Sequence, residues 1–275
     1  MAVPEGDTIA RLVRRLGPAT AGRTVIRSEV RTGRGAGTSL VGRVLLGWDS
    51  RGKHILTRFS GGLTLHTHLR MDGRWTLLQP GAVLPRRVDP DVRVILGLAG
   101  SDPPAHEAAA AGPTLYGIAL PVVELVPTRE EASVVGHLGP DLLGPGWDEA
   151  EAVRRLGSQP DRPVIEALLD QRNLAGIGNV WAVETCFLRG LHPWRPVGTV
   201  DLPGTVRLVR RMLRHSTETT SSHVTTGNLR RGQSHYVYGR AGEPCRRCGT
   251  TIEHRPAAPG EPHSRDTWWC PKCQL

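Results

Sequence analysis

Four of the five cysteines lie near the end of the chain, in two Cys-x-x-Cys pairs. Two such pairs at this separation bring four thiolates to the tips of two β-hairpins, which is the tetrahedral arrangement of structural zinc. A tail of about forty residues has too small a core to fold without such a site. Iron–sulfur is a weaker alternative, and this cysteine usage indicates a reducing compartment rather than disulfides. We expect one structural Zn²⁺ with four ligands: Cys245, Cys248, Cys270 and Cys273.

The basic residues are almost all arginine. The chain has 35 Lys+Arg against 26 Asp+Glu and a formal net charge of +9, which favours a polyanionic partner such as nucleic acid. Only Lys53 and Lys272 are lysines. An arginine side chain cannot lose its proton in a protein, whereas a lysine side chain can. Lys53 is therefore a candidate for proton chemistry, although chance would leave the same pattern.

A glycine turn joins two apolar helical patterns in the second half of the chain. It contains Gly176 and Gly178, and Asn179 follows where it would cap the second helix. The free N–H groups and the positive dipole end at such a turn suit a phosphate. An ordinary helical hairpin with glycine in its loop has the same pattern.

In the first half of the chain, hydrophobic periodicity predicts one helix followed by a series of strands. Apolar residues at helical spacing predict a first helix that Asp7 caps and that Gly17 and Pro18 end. From about residue 24 to 127, short alternating runs separated by glycine-rich turns predict a β-sandwich or barrel. Ser101–Pro113 is rich in Ala, Pro and Gly, and we expect it to be a surface loop.

The second half has the pattern of a helical region. Asp148 is the expected cap of one helix, Val206–His215 is predicted as another, and the polar segment Ser216–Gly232 is expected to be mobile. Cys186 has apolar neighbours and is expected to be a buried structural thiol. No stretch of eighteen apolar residues predicts a membrane span, and the N-terminus lacks the pattern of a signal peptide. We therefore expect a cytoplasmic protein.

Several short motifs together resemble the formamidopyrimidine-DNA glycosylase/endonuclease VIII family. They occur in the family's order and cover nearly the whole chain. They are Pro4-Glu5-Gly6-Asp7-Thr8, Arg51-Gly52-Lys53-His54, His68-Leu69-Arg70-Met71-Asp72-Gly73, Leu174-Ala175-Gly176-Ile177-Gly178-Asn179, Tyr238-Gly239-Arg240 and the segment from Arg265 to Gln274.

The resemblance implies a multidomain α+β fold. Residues 1–130 would form an N-terminal catalytic β-sandwich with the first helix, and residues 131–147 a linker. Residues 148–232 would form a helix–two-turn–helix DNA-binding domain, and residues 236–275 a zinc ribbon. The implied partner is damaged DNA, and the protein is expected to be a monomer. When it is bound to DNA, it would be associated with the nucleoid.

The implied function is that of a bifunctional DNA glycosylase and abasic-site lyase of base excision repair. Such an enzyme removes an oxidised base through a Schiff-base intermediate and cleaves the strand by β,δ-elimination. The residues that match the family's motifs have these implied roles: Pro4 as the amine nucleophile, Glu5 as proton donor, Lys53 as an aid to base excision and the first elimination, Arg265 as a catalytic phosphate clamp, Asn179 as a phosphate contact and Met71 as a wedge in the DNA.

The sequence departs from the family's pattern at two places. Pro4 follows Ala2-Val3, so its nitrogen is an amide unless the mature chain begins at Pro4, as a GTG start codon at Val3 would allow. If Ala2 is the N-terminus instead, its primary amine would be a poorer substitute, or the lyase step would be lost. A non-catalytic nucleic-acid-binding protein on the same scaffold is therefore the alternative.

Asp7 and Thr8 stand where members specialised for oxidised purines carry a second Pro-Glu. The chain is therefore closer to the endonuclease VIII-like branch, which implies a preference for oxidised pyrimidines.

Overall fold

The structure is a computed structural model that describes residues 4–100, 111–219, 223–260 and 264–275. The chain divides into two compact units. Pro4 and Ile9–His137 belong to the first unit, and Glu5–Thr8 and Leu138–Leu275 belong to the second. The domain boundaries expected from the sequence remain a prediction.

Helix α1, Gly6–Thr20, is longer than the sequence pattern predicts. It continues through Pro18, although proline removes the hydrogen bond to the carbonyl four residues earlier. The last turn is closed by Ala21 N–H, which donates to Gly17 O at 2.9 Å. The Thr20 hydroxyl also donates to Leu16 O at 2.7 Å. The expected N-cap is wrong too, since Asp7 lies inside the first turn of the helix.

The first unit is a β-sandwich, which confirms the predicted fold class for this region. Two four-stranded antiparallel sheets have the orders β1-β6-β7-β5 and β2-β3-β4-β8. Buried residues from both sheets form one core with Ile9 and Leu16 of α1. The strands are β1 Val25–Val30, β2 Leu45–Arg51, β3 His54–Phe59, β4 Leu63–His68, β5 Arg74–Leu78, β6 Val92–Ala99, β7 Ala111–Ile118 and β8 Val122–Pro127.

One predicted loop ends earlier than expected. Strand β7 begins at Ala111, which pairs with Ala99 of β6, so the last three residues of Ser101–Pro113 are extended rather than looped. The backbone pairing outweighs the low strand propensity of Ala, Gly and Pro. Residues 101–110 of that predicted loop lie outside the described residues.

Short helices fill the second unit and the end of the first. A four-residue helix α2, Ala132–Val135, belongs to the first unit, and α3–α6 belong to the second. The predicted cap at Asp148 is confirmed, because its carboxylate accepts a hydrogen bond from Glu151 N–H at 3.0 Å. The helices of the second unit are α3 Glu149–Leu156, α4 Val164–Leu169, α5 Asn179–Arg189 and α6 Leu202–Glu218.

Helix α6 extends beyond the predicted Val206–His215 at both ends. It begins four residues earlier because Asp201 caps it, accepting from Gly204 N–H at 3.0 Å. At the other end, Ser216, Thr217 and Glu218 are helical, so the prediction of a mobile segment from Ser216 is wrong there. Residues 220–222 of that segment lie outside the described part of the chain.

A large apolar core holds the second unit together. Its largest fully buried side chains are Trp181 and Phe187 of α5, packed among residues of every other helix of the unit. Cys186 is completely buried there, and burial raises the pKa of its thiol to about 12, which confirms the predicted structural thiol.

A small two-stranded sheet closes the chain. It pairs β9, Glu253–Arg255, with β10, Thr267–Trp269. The last residues attach to the helical core, since the Gln274 amide donates to Leu191 O at 2.9 Å. None of the described helices has the length and apolar character that crossing a membrane requires.

Candidate active site and metal centre

The Glu5 carboxylate lies at the N-terminus of helix α5. Val180 N–H donates to Oε1 and Gly178 N–H donates to Oε2, both at 2.8 Å. The side chain is buried, with only 1% exposed. Glu5 therefore takes two of the N–H groups that the sequence pattern assigned to a phosphate. The positive end of the helix dipole stabilises the negative charge of this buried carboxylate.

The glycine turn is shaped to receive this carboxylate. A Cβ at Gly178 would lie 2.4 Å from Glu5 Cδ, so no larger residue fits without displacing Glu5. Gly176 has φ +100°, a left-handed conformation that favours glycine, and its carbonyl accepts a hydrogen bond from Gly6 N–H at 2.9 Å. The turn thus fixes both the side chain of Glu5 and the backbone beside it.

Asn179 does not cap helix α5, so that part of the prediction is wrong. The N-cap residue is Gly178, which has no side chain of its own to make the cap hydrogen bond. The reason is that the Glu5 carboxylate already bonds the N–H groups that a cap would bond. Asn179 instead donates from Nδ2 to Asp266 O at 2.8 Å, which places it beside the segment that carries Arg265.

A second carboxylate of the N-terminal segment is also buried on α5. Trp181 Nε1 donates to Asp7 Oδ1 at 3.1 Å, and Ser216 Oγ donates to Asp7 Oδ2 at 2.6 Å. His223 Nε2 lies 3.2 Å from Oδ1. Burial by itself raises the pKa of Asp7. The contact with His223 and the bonds from Ser216 and Trp181 outweigh it and lower the pKa to about 2.

Lys53 lies in the first unit, in the tight turn between β2 and β3. The turn residue Gly52 has φ +58°, and Lys53 is half-buried. It is followed by His54, whose ring contacts three others at centroid distances of 4.8 to 5.9 Å: His66, His68 and His137. The sequence reasoning missed this cluster.

Two of these histidines, His54 and His68, are neutral at neutral pH. Burial lowers the pKa of His54 to about 3, helped by the charges of His68, His66, His137 and Lys53. Burial also lowers the pKa of His68 to about 4, with Lys53 as the next cause. The ammonium of Lys53 is thus beside imidazoles that add no competing positive charge.

Met71 and Arg265 are exposed, each on its own unit. Met71 lies in the turn after β4, with 65% of its surface exposed, and is among the few large apolar side chains that face solvent in the described residues. Arg265 lies two residues before β10, and its guanidinium donates to Ser264 O at 2.7 Å. Both positions leave the side chains accessible to a large partner.

The four cysteines predicted as metal ligands converge on one point in the second unit. Their Sγ atoms all lie within 4.8 Å of one another, with Cys245 and Cys273 at 3.9 Å and Cys248 and Cys270 at 3.5 Å. Tetrahedral thiolates around zinc are separated by about 3.8 Å, as Zn–S bonds of about 2.3 Å require. The cluster therefore has the size and the donor set of a closed four-sulfur metal site.

The structure thus arranges the predicted residues in two groups. Glu5, Asn179, Arg265 and the cysteines belong to the second unit, where Asn179 is hydrogen-bonded beside Arg265. Lys53 and Met71 belong to the first unit, and Pro4 precedes Glu5 at the junction.

Comparison with known proteins gives the same family over the whole chain. Residues 3–109 match the Formamidopyrimidine-DNA glycosylase N-terminal domain. The "Probable endonuclease 8 2" of Streptomyces coelicolor is 46% identical, over 99% of this chain and 94% of the relative. The chain belongs to the formamidopyrimidine-DNA glycosylase/endonuclease VIII family.

A second relative indicates the branch of the family to which this chain is closer, and a solved structure has the same fold. The "DNA-(apurinic or apyrimidinic site) lyase Nei2" of Mycolicibacterium smegmatis is 40% identical, over 99% of both chains. A solved complex of Lactococcus lactis Fpg with DNA containing an abasic site has a TM-score of 0.78, with 21% identity, over 98% of this chain and 99% of that one. The predicted membership of the endonuclease VIII-like branch is confirmed by the names of the relatives.

Proposed function

We propose that this chain is a bifunctional DNA glycosylase and abasic-site lyase that excises an oxidised base and then cleaves the strand. The observation that carries the proposal is the anchoring of Glu5, directly after Pro4, on the N-terminus of α5. A buried carboxylate held by two backbone donors fixes the segment where the reaction needs a positioned amine. Two full-length relatives carry the names of an endonuclease 8 and an abasic-site lyase.

In this proposal, Pro4 acts through its free amine in a chain that begins at Pro4. An α-amine has a pKa near 8, whereas a lysine amine has a pKa of about 10.4, so much more of the α-amine is neutral near pH 7. Attack of the proline nitrogen on the sugar C1′ breaks the bond to the base, and opening of the sugar ring at C1′ then gives an iminium, which is cationic because the amine is secondary. The iminium makes the C2′ proton acidic, and loss of that proton expels the 3′ phosphate. Loss of the C4′ proton into the same conjugated cation then expels the 5′ phosphate.

Glu5 would transfer the protons of these steps. Its ionised carboxylate can take a proton from the Pro4 amine and later give it to the sugar ring oxygen as the ring opens. The two backbone donors from Gly178 and Val180 hold both oxygens in place, so the carboxylate does not need to reorganise between the two transfers.

Lys53 would assist departure of the base and the first elimination. Its ammonium can donate a proton to the leaving base, which a guanidinium cannot do because it does not deprotonate. His54 and His68 beside it are neutral at neutral pH, so they place no second positive charge next to the ammonium of Lys53.

Arg265, Asn179 and Met71 would contact the DNA. Arg265 would clamp a phosphate beside the lesion and aid the second elimination, and Asn179, bonded to the same segment, would contact a flanking phosphate. The exposed Met71 would fill the space left by the flipped nucleotide, as apolar side chains do in distorted DNA. The net charge of +9 suits a polyanionic partner.

We further propose that the metal is one Zn²⁺ ion and that its role is structural. The ion would hold β9 and β10 together and so support Arg265. We also propose a preference for oxidised pyrimidines, because Asp7 and Thr8 stand where members specialised for oxidised purines carry a second Pro-Glu. We propose that the protein acts as a monomer on chromosomal DNA in the cytoplasm.

The alternative is a nucleic-acid-binding protein without catalysis. Pro4 favours it, because its nitrogen is an amide as long as residues precede it. Borohydride trapping on DNA with an abasic site separates the two functions when the adduct is located by mass spectrometry, since the proposed enzyme forms its reducible imine at Pro4. An adduct supports the lyase, and tight binding without an adduct supports the alternative.

A further inference from the structure

A buried carboxylate–imidazole pair joins the N-terminal segment to the segment that follows helix α6. Asp7 is fully buried, and His223 is 2% exposed. Their side chains meet at 3.2 Å, and Trp181 and Ser216 complete the surroundings of the carboxylate. Three other parts of the second unit therefore meet at Asp7: helix α5, helix α6 and the segment that contains His223.

This arrangement is costly for a purely structural purpose. Burying a carboxylate costs desolvation free energy that well-packed apolar side chains of the same volume do not cost. His223 also has φ +58°, a left-handed conformation that non-glycine residues rarely adopt. Buried charges and strained backbone conformations concentrate at functional sites. Asp7 lies three residues after the proposed nucleophile, Pro4.

Two anchors hold the N-terminal segment against α5. Glu5 bonds the backbone of Gly178 and Val180, and Asp7 bonds the side chain of Trp181 one residue further along the helix. The bond from Gly6 N–H to Gly176 O holds the backbone between these two side chains, and the Asp7 anchor opposes rotation of the segment about the Glu5 end. The direction of the chain at Pro4 is therefore set by Asp7 as well as by Glu5.

His223, at the other end of the pair, belongs to a segment that also contacts α5 further along the chain. Glu184 of α5 is buried and accepts hydrogen bonds from three successive backbone N–H groups, those of Tyr236, Val237 and Tyr238. It also accepts one from the Thr225 hydroxyl. The segment from His223 to Tyr238 is thus attached to α5 at both ends. At one end His223 contacts Asp7, which is bonded to Trp181 of α5, and at the other the backbone bonds Glu184 of α5 directly.

We infer that the Asp7–His223 pair is a positioning device that aims Pro4 and Glu5 for attack on the sugar. Asp7 and His223 are positioning residues, because they act through the N-terminal segment and not on the substrate. The inference rests on the proposed lyase function. A displacement of a reacting group by about 1 Å can cost about 10²-fold in rate, so a loosened segment should react more slowly without binding DNA less tightly.

The test uses His223→Gly and measures the single-turnover rate constant of borohydride trapping at saturating abasic DNA. Glycine suits the positive φ of this position, so the variant loses the ring without straining the backbone. We expect a loss of at least about tenfold in rate constant, with DNA affinity within about threefold of wild type. Added imidazole should restore much of the rate by occupying the space of the lost ring beside Asp7.

Two further variants make the test specific. Ser216→Ala removes one hydrogen bond to Asp7 without changing charge and should slow trapping by a smaller factor, which keeps the inference testable if His223→Gly folds poorly. His215→Ala is the control, since it removes an exposed histidine of α6. Imidazole should not change the trapping rate constant of this variant or of wild type. A merely structural role would lower the fraction of reactive protein but leave the rate constant of that fraction unchanged.

The outcomes distinguish this inference from the proposed function. Wild-type rate constants in folded His223→Gly and Ser216→Ala, with no effect of imidazole, would overturn the positioning role and leave the lyase function intact. Absence of any adduct with wild type would overturn both.

Discussion

The carboxylate of Glu5 caps helix α5 by accepting the Val180 N–H at 2.8 Å, although the two residues are 175 positions apart in the sequence. A side chain at the start of the chain thereby completes the helix terminus that a local residue usually caps. The same bond orients the residue after Pro4. Helix stability and the geometry of the proposed catalytic segment therefore depend on one interaction.

The substitution Gly178→Ala tests this relationship. Its Cβ would lie 2.4 Å from Glu5 Cδ, so the carboxylate must move and lose its backbone donors. We expect a loss of about 1–3 kcal/mol in the free energy of unfolding, measured in urea. We also expect a loss of about 10²-fold or more in strand cleavage at an abasic site. Gly146→Ala is the control, because a Cβ there meets nothing within 4 Å. Equal behaviour of the two variants would contradict this account.

Lys53 can be tested by its replacement with arginine and with alanine. If Lys53 only attracts phosphate, arginine should replace it, because both side chains carry one positive charge. If it transfers a proton to the base, both variants should lose base excision by about 10²–10⁴-fold. Cleavage at a preformed abasic site should decrease less, because no base has to leave. Near-normal base excision by Lys53→Arg would remove Lys53 from the catalytic residues.

The half-buried residues His54 and His68, beside Lys53, should make the first unit sensitive to acid. The pKa of His54 is lowered to about 3 and that of His68 to about 4, whereas an unfolded histidine has a pKa of about 6.5. Between these values the unfolded chain binds more protons. This contribution to stability is therefore complete above pH 6.5 and is lost as the pH falls towards 4 and then 3.

The slope of the unfolding free energy against pH measures this effect. Each histidine should contribute up to about 1.4 kcal/mol per pH unit in that window. His54→Gln should flatten the slope between pH 5 and 6.5, whereas His215→Gln, at an exposed position of α6, should leave it unchanged. If the slope of His54→Gln equals that of wild type, the assigned neutrality of the cluster is wrong.

Metal removal tests the zinc proposal. Native mass spectrometry should show one Zn²⁺ per chain, because four thiolates close a single tetrahedral site. Cys245→Ser should weaken DNA binding and disturb Arg265, while the helical core and the sandwich stay folded. Cys186→Ser is a control that changes a buried thiol outside the site. Full activity of a metal-free preparation would refute a structural role for the ion.

The fold was largely predictable because local patterns carry it. The alternating runs between about residues 24 and 127 became strands, among them His54–Phe59, and the Cys-x-x-Cys spacing predicted the sulfur cluster. Helix ends were predicted less well. Thr20 and Asp201 extend α1 and α6 beyond the pattern through hydrogen bonds that periodicity does not reveal.

The contacts within the candidate site were not predictable, because they join distant positions. Nothing local shows that Glu5 rather than Asn179 meets the N-terminus of α5, or that His223 meets Asp7. His66 and His68 alternate on one strand and so share a face, which was a usable signal for the histidine cluster. The position of His54 opposite His68 depends on strand register, which the sequence leaves open.

The most direct test of the central claim is the location of the trapped adduct. Borohydride reduction of wild-type protein on DNA with an abasic site, followed by proteolysis and mass spectrometry, identifies the amine that attacked C1′. The account predicts a protein that begins at Pro4 and an adduct on the Pro4 nitrogen. Protein of the same sequence whose N-terminal amine has been acetylated should form no adduct. An adduct on Lys53 or on the Ala2 amine, or strand cleavage without any adduct, would contradict it.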